Sequence, residues 1–577
     1  MTNTQKKKWT LMFFLASDNA LSPSTLSQLK AIKAAGSQAD TNVLVYFDPN
    51  EKGAPTRVFE INKENKHNAA QSSASIGDPD EPIVTVLTRD AIDPTTITGP
   101  PGSQSEQFGS SLQKIDELDA CAALKNFLGF CREAYPADHY MLFLLGHGLV
   151  VGRDAFLPDD NPDSAIGLKT LGEILTKFST DIRGQGVLEL IAMHSCSMSG
   201  IEIAYELKGT ANYMLASQGI SFVGSWPYRQ LLTKIFKAVD NNVVVPELMK
   251  SLESLCIQYS ADFMYAGYSA DMCLCSLQAE PIQKLTKPIQ ELSVALTNGL
   301  KDRRCRELIV LAHWKSQSYW QETYSDLYDF CLCLRRLCNQ PKREPQDQKH
   351  QTFAKREYDI KRIAIIDACS KVIDKLRPQT GSQTDGPVVC ADYIGPDCQY
   401  SHGLSIYFPW SDPVADANDH VLENYEKYTF TQEVGDAYWL KFLNSYFEDT
   451  RREDRLTEDD KYADENVTYQ TNPDYMKALA TARASFAAAV VINTHEFMST
   501  SALEGKVSPP DSGGGACTCA STRNYSRVFS MSPGVSTVFG GVKPKSATAT
   551  PAPAPSSPPT QPTQPAPSSP PAQPTQP

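Results

Sequence analysis

No run of apolar residues in this 577-residue chain approaches the ~20 that a membrane-spanning helix needs, so nothing in it reads as a bilayer span. Positive charge is in deficit. Lys and Arg number 54 against 67 Asp and Glu, a formal net charge of −13, which excludes the basic footprint of a nucleic-acid binder but not a cationic substrate. Cysteine lacks order rather than abundance: the fifteen residues are odd in number and follow no framework spacing. That argues against a disulfide scaffold and for reduced thiols in a cytosol-like compartment. The three C-x-C pairs (273/275, 331/333, 517/519) lack the spacing and converging ligands of a zinc site, and Cys331, Cys333 and Cys338 read as core thiols of a helix. His495-Glu496 has no second histidine, and the glycines at 513–515 are not followed by Gly-Lys-Ser/Thr, so neither a zincin motif nor a phosphate loop is present. Lys6-Lys7-Lys8 before Trp9–Ala16 has the outline of a signal peptide. Its apolar part is too short, however, and Ser17-Asp18-Asn19 is turn chemistry, so a buried first strand and a cytoplasmic location are expected.

What is present is an ordinary apolar fraction, 41%, ample for a packed core. From Trp9 to Ser217, apolar runs of strand length alternate with helical patterns. Strands are expected at 9–16, 42–47, 139–145, 187–193 and 213–217. Helices are expected from Ser22-Pro23 (Ser22 as N-cap, Pro23 at the first helical position, Leu26, Leu29 and Ile32 inward), over 117–133 and 169–179, and after residue 200, with a hairpin-like excursion near 57–62 and polar chain to about 115. Such alternation predicts right-handed βαβ crossovers and a mostly parallel sheet covered on both faces. Residues 226–449 read as helix-rich, for example over 281–300 and 324–337, with a late strand at 403–408. Residues 450–545 read as an accessory segment, with a charge run at 451–465, a helix over 473–492 and a flexible joint at 512–515. Residues 546–577 contain only Ser, Ala, Thr, Pro and Gln, a composition unable to bury a core. This tail is a spacer, or a Pro-x-x-Pro ligand for a partner.

Two segments carry the chemistry: 139–148 (HYMLFLLGHG) and 187–196 (VLELIAMHSC). Each is an apolar strand ending on a reactive side chain, and an open parallel sheet presents its catalytic groups at the carboxyl ends of its strands. One strand therefore delivers His147 and the other Cys196 to a common rim, the parts needed for nucleophilic attack on a carbonyl by a cysteine peptidase. The turn into a following helix and a neighbouring imidazole would favour the thiolate. The amides of Gly148 and Cys196 are candidate oxyanion donors, and Gly146 and Gly148 leave room for a substrate carbonyl. Taken alone, the two positions remain equally compatible with an inert core thiol and a structural histidine.

The chain resembles the clostripain family of cysteine peptidases, of the caspase-like clan, from about residue 8 to 445. The resemblance rests on Trp9–Leu21 with its Asp18-Asn19 turn, on Cys196-Ser-Met198, Ile201–Leu207, Ala216-Ser217 and Trp226-Pro227-Tyr228, and more weakly on Asp326–Phe330 and Gly403–Pro409. It implies a caspase-like α/β/α sandwich over 1–225 completed by 226–449. It also implies an endopeptidase with Cys196 as nucleophile and His147 as general base, and protein or peptide substrates. His194, Ser217 and Trp226 then belong to the P1-binding region. The family usually has Asp where His194 stands, and 218–225 contains no acid, so trypsin-like specificity is not expected. The expectation is an uncharged or apolar P1, or an acidic one with His194 protonated; the alternative is an S1 acid supplied from elsewhere in the fold. Relatives often self-cleave between the two catalytic strands, where Arg153 and Lys169 are available. Some need Ca²⁺, for which Asp159, Asp160 and Asp163 are candidate oxygen ligands. Two other readings stand beside the peptidase: a catalytically silent module that binds a partner, and a protease dedicated to one partner in a bacterial defence or cell-death pathway.

Overall fold

The computed structural model describes residues 6–50, 56–62, 83–87, 118–149, 151–152, 155–262, 268–320, 322–340, 352–378, 385–410, 421–435 and 437–453. In chain order its strands are β1 (Lys7–Ser17), β2 (Thr41–Pro49), β3 (Arg57–Asn62), β4 (Ile83–Leu87), β5 (Ala137–Leu145), β6 (Phe156–Asp160), β7 (Asp163–Ile166), β8 (Val187–His194) and β9 (Tyr213–Ala216). Then follow β10 (Ala270–Ser276), β11 (Ser318–Tyr319), β12 (Tyr324–Asp326), β13 (Val388–Ile394) and β14 (Ser405–Tyr407). Nine of them form one sheet in the order β13-β10-β9-β8-β5-β1-β2-β3-β4. The central run β9-β8-β5-β1-β2 is parallel, and antiparallel pairs finish both edges.

The parallel strands are the apolar runs of the sequence, and both of their faces are covered. Successive side chains point to opposite faces, so Met12 and Phe14 enter one core while Leu11, Phe13 and Leu15 enter the other. Helices Ala120–Ala134, Leu168–Asp181 and Ile201–Glu206 pack on the first face; Ser22–Ala35, Tyr228–Asp240 and Val245–Ser260 pack on the second. The expected α/β/α sandwich with a mostly parallel sheet is the architecture found. Two of its strands, β10 and β13, come from beyond residue 225.

Several local expectations are corrected. In the first helix Ser22 lies inside the helix and accepts the Asn50 amide on its hydroxyl; the buried face runs through Thr25, Gln28, Leu29 and Ile32, leaving Leu26 41% exposed. The stretch read as polar chain contains β4, which pairs with β3. The segment 281–300 breaks into Ala279–Gln283 and Thr286–Leu300. The segment 324–337 opens as β12, and Asp326 caps the helix Leu327–Asn339 by accepting the Asp329 amide at 2.7 Å. Only Ser405–Tyr407 of the late strand is extended, and it pairs with β12 in a separate three-stranded sheet. The helix expected over 473–492, the tail at 546–577, Arg153, His495 and the 517/519 pair lie outside the described residues. Among the described residues no helix is long and apolar enough to cross a membrane.

Candidate active site

Strands β5 and β8 are parallel neighbours in a register that sets Leu145 beside His194. The ladder runs one step further, the Gly146 amide donating to the His194 carbonyl at 3.4 Å. His147 and Cys196 therefore emerge side by side at the carboxyl rim, both buried. The His147 carbonyl accepts the Leu157 amide at 3.2 Å, and the Leu149 amide donates to the Met198 sulfur at 3.3 Å, so the histidine turn is tied on both sides. Gly148 crosses the nucleophile's backbone: a Cβ there would lie 1.9 Å from the Cys196 carbonyl oxygen. Only a residue without a side chain permits this approach.

Past Cys196 the chain turns sharply through Ser197, which has φ +55°, a left-handed conformation that costs a non-glycine residue on the order of 1 kcal/mol. The helix that follows, Ile201–Glu206, starts several residues later and is short. Its dipole acts over the first turn only, so the helix support expected for the thiolate is weak. A different element reaches the sulfur. The segment after β9 runs alongside 197–199, with Ser197 N–H donating to the Gly219 carbonyl and Ser199 N–H to the Ser217 carbonyl, both at 2.9 Å. Its Ser221 amide faces Cys196 Sγ at 3.3 Å, and its Ser221 carbonyl lies 3.5 Å from the same atom.

The three residues expected at the P1 region have distinct places. Ser217 is buried, its hydroxyl donating to the Gly219 carbonyl at 3.3 Å. Trp226 is buried with its indole N–H lacking a hydrogen-bond partner, and it stacks on His194 with centroids 4.8 Å apart. His194 is committed to the framework. Its Nε2 lies 2.7 Å from the Phe222 carbonyl, which must accept, so Nδ1 is left to accept the Tyr228 hydroxyl at 3.0 Å. Burial pushes its pKa down to about 3 against the opposing pull of the Phe222 carbonyl. The imidazole is therefore neutral in the working range and has no nitrogen left for a substrate. Its two hydrogen bonds tie it to Phe222 and Tyr228.

The three candidate calcium ligands have separate surroundings. Asp159 turns inward, where burial and the nearby Asp48 and Asp18 push its pKa up to about 8, whereas Asp160 and Asp163 pair across the β6–β7 hairpin. The three carboxyl groups do not converge, and the described residues contain no group of three or more His, Cys, Asp or Glu fit to hold a metal ion. Nothing in these residues fits a Ca²⁺ site.

Other participants were not legible in sequence. Asp271 accepts the amides of Gln218 and Gly219, and Asp326 accepts the Gln218 side chain and the His402 amide. Glu202 is fully buried: Oε1 accepts the Tyr407 amide at 2.9 Å and the Tyr425 hydroxyl at 2.8 Å, while Oε2 has no partner. Its only signal was a carboxylate inside the apolar pattern 201–207. Burial pushes its pKa from 4.5 up to about 7, against those two hydrogen bonds. A raised folded-state pKa means stability fully present below pH 4.5 and lost as pH rises to about 7, on the order of 3 kcal/mol in all. Chemical denaturation of wild type and Glu202→Gln from pH 4 to 8 should show this fall in the former and its disappearance in the latter.

The sequence profile of the clostripain family matches residues 13–357. A search of curated proteins returned no match. Among solved structures, the chain is similar to an inactive zymogen C11 protease from Parabacteroides distasonis, at 16% identity over 74% of this chain and 99% of that one, with a TM-score of 0.42. It is also similar to a secreted C11 cysteine protease of Bacteroides thetaiotaomicron called iotapain, at 12% identity over 75% and 100%, with a TM-score of 0.44. A secreted C11 cysteine protease from Bacteroides thetaiotaomicron in complex with an irreversible peptide inhibitor gives 14% over 74% and 99%, with a TM-score of 0.42.

Proposed function

Because the chain belongs to the clostripain family of cysteine peptidases, we propose that it is an endopeptidase with Cys196 as nucleophile and His147 as general base. The observation that carries this reading is the register of β5 and β8, which sets both residues at one rim with Gly148 against the Cys196 backbone. In this mechanism His147 takes the Cys196 proton as Sγ attacks the scissile carbonyl carbon. The resulting oxyanion is held by the Gly148 and Cys196 amides. Collapse breaks the C–N bond, His147 returns the proton to the leaving amine, and a thioester remains. A water deprotonated by His147 then attacks the thioester, releasing the acid and restoring the thiol.

The substrate is a protein or peptide with an uncharged or apolar P1 residue. A cationic P1 needs a carboxylate in its pocket. His194 supplies none, and it is neutral, which removes support for an acidic P1 as well. Asp271 and Asp326 are buried and spend their oxygens on the framework, so neither offers S1 a free charge. The test is a peptide library varying every P1 residue, cut by wild type. Leu and similar P1 residues are expected to exceed Arg and Asp by about tenfold or more, since one uncompensated buried charge costs at least ~1.4 kcal/mol. A preference for Arg overturns the specificity. Silence under reducing conditions favours the module that binds without cutting.

A further inference from the structure

We propose that Gln218 is a positioning residue for the nucleophile: clamped by Asp271 and Asp326, it holds the 218–221 segment so that the Ser221 amide supports the Cys196 thiolate. This inference rests on Cys196 being the nucleophile.

The contact at the sulfur has two halves. As a thiol, Cys196 can donate to the Ser221 carbonyl at 3.5 Å; once ionised, it can only accept, and the Ser221 amide at 3.3 Å is there to donate. Hydrogen bonds to a charged partner are about twice as strong as neutral ones, so the contact favours the reactive anion. Its value depends on the Ser221 amide staying in place, and Ser221 lies in an irregular stretch between β9 and the turn Val223–Ser225.

Gln218 supplies the anchorage. Its backbone amide donates to Asp271 Oδ2 at 2.6 Å, and the next amide, Gly219, donates to Asp271 Oδ1 at 2.9 Å. Its side-chain Nε2 donates to Asp326 Oδ2 at 3.0 Å. Its Oε1 accepts the Gly403 amide at 2.9 Å and the Tyr319 hydroxyl at 3.3 Å. A Cβ on Gly219 would lie 2.9 Å from Asp271 Oδ1, so the segment is drawn against that carboxylate as closely as glycine allows. Gln218 and Asp326 are completely buried and Asp271 nearly so. Water cannot replace these bonds, and losing one leaves a buried polar group unpaired. One glutamine thus joins three parts of the fold: β10 through Asp271, β12 through Asp326 and Tyr319's neighbouring strand β11, and the loop before β14 through Gly403.

The ionisable groups around this arrangement are His147 and Tyr268 toward the sulfur, and Asp271, Asp326, Tyr319, Cys398 and His402 around the clamp. Replacing Gln218 removes none of these groups, although Asp326 and Tyr319 each lose one hydrogen-bond partner.

The experiment measures the rate of iodoacetamide alkylation at Cys196, read by peptide mass spectrometry, from pH 5 to 9.5. It uses the full chain as wild type, Gln218→Met and Tyr319→Phe, with kcat and KM on a peptide substrate in parallel. Gln218→Met should move the alkylation midpoint up by about one pH unit, making alkylation below both midpoints about tenfold slower. Its kcat should fall while KM holds. Tyr319→Phe removes one of Gln218's partners and should shift the midpoint in the same direction by less. Midpoints equal to wild type in both variants, with thermal melts intact, overturn the proposal, since a merely structural role lowers stability without moving that midpoint. If Gln218→Met does not fold, Tyr319→Phe decides alone by the same criterion. A midpoint shifted in the variants while wild type cuts no peptide keeps the support of the Cys196 thiolate by the Ser221 amide and removes the peptidase reading.

Discussion

Replacing Cys196 by alanine is expected to lower kcat/KM for peptide hydrolysis by at least ~10⁴-fold, with the fold and the thermal midpoint little changed. In the proposed mechanism the sulfur forms the covalent intermediate. Of the neighbouring hydroxyls, those of Ser195 and Ser221 are buried without a hydrogen-bond partner, and Ser197 holds a left-handed backbone conformation. Removing a nucleophile that acts as a unit with its base costs orders of magnitude, and what remains comes from oxyanion stabilisation and binding. His147→Ala should be nearly as severe, and the double variant scarcely worse than either, because the two residues serve one proton transfer. Steady-state hydrolysis of a P1-Leu peptide, with active-site titration by an alkylating inhibitor, measures all three. Cys196→Ala retaining a tenth of wild-type activity would place the chemistry elsewhere.

Gly148→Ala should be the most damaging change outside the Cys196 and His147 pair, although it deletes nothing. The added methyl would lie 1.9 Å from the Cys196 carbonyl oxygen and 3.0 Å from the Cys196 nitrogen. These are backbone atoms, so no rotamer change relieves the overlap; either the histidine turn or the nucleophile's turn must move. Overpacking of this kind costs about 1–3 kcal/mol of stability. The larger loss is catalytic. A displacement of about 1 Å between reacting groups costs around 10²-fold, and the same residue is expected to offer an oxyanion amide worth a further ~10² or more. The variant should therefore lose at least ~10³-fold in kcat while Cys196 remains open to alkylation. Wild-type turnover in Gly148→Ala would mean that the two strand ends do not meet as described.

The readable part of this protein was its parallel centre. Strands such as 139–145 and 187–193 are uninterrupted apolar runs because both their faces are buried, and a run of that kind announces itself without any partner. The antiparallel strands flanking it did not. β10 reads Ala-Asp-Met-Cys-Leu-Cys-Ser, with a carboxylate near its start, and that Asp271 makes sense only once two amides from another segment are laid against it. The Ser22–Ala35 helix shows the same limit on a smaller scale. Leu26 fits an apolar stripe by spacing, yet the packed face runs through Thr25 and Gln28, because what a helix faces is set by what the sheet offers it.

Sequence alone determined the alternation of strands and helices, the pair of reactive residues at strand ends and the family to which the chain belongs. These follow from local chemistry: hydrophobic period, chain direction and the identity of the last residue in each strand. Tertiary structure decided what those residues touch. It tied His194 into the framework, because both its nitrogens meet groups 28 and 34 residues away in the chain. It also brought the Ser221 amide to Cys196 and Gln218 between two buried aspartates. Hydrogen bonds between segments distant in sequence leave no periodic trace, so they become visible only when the chain has closed on itself.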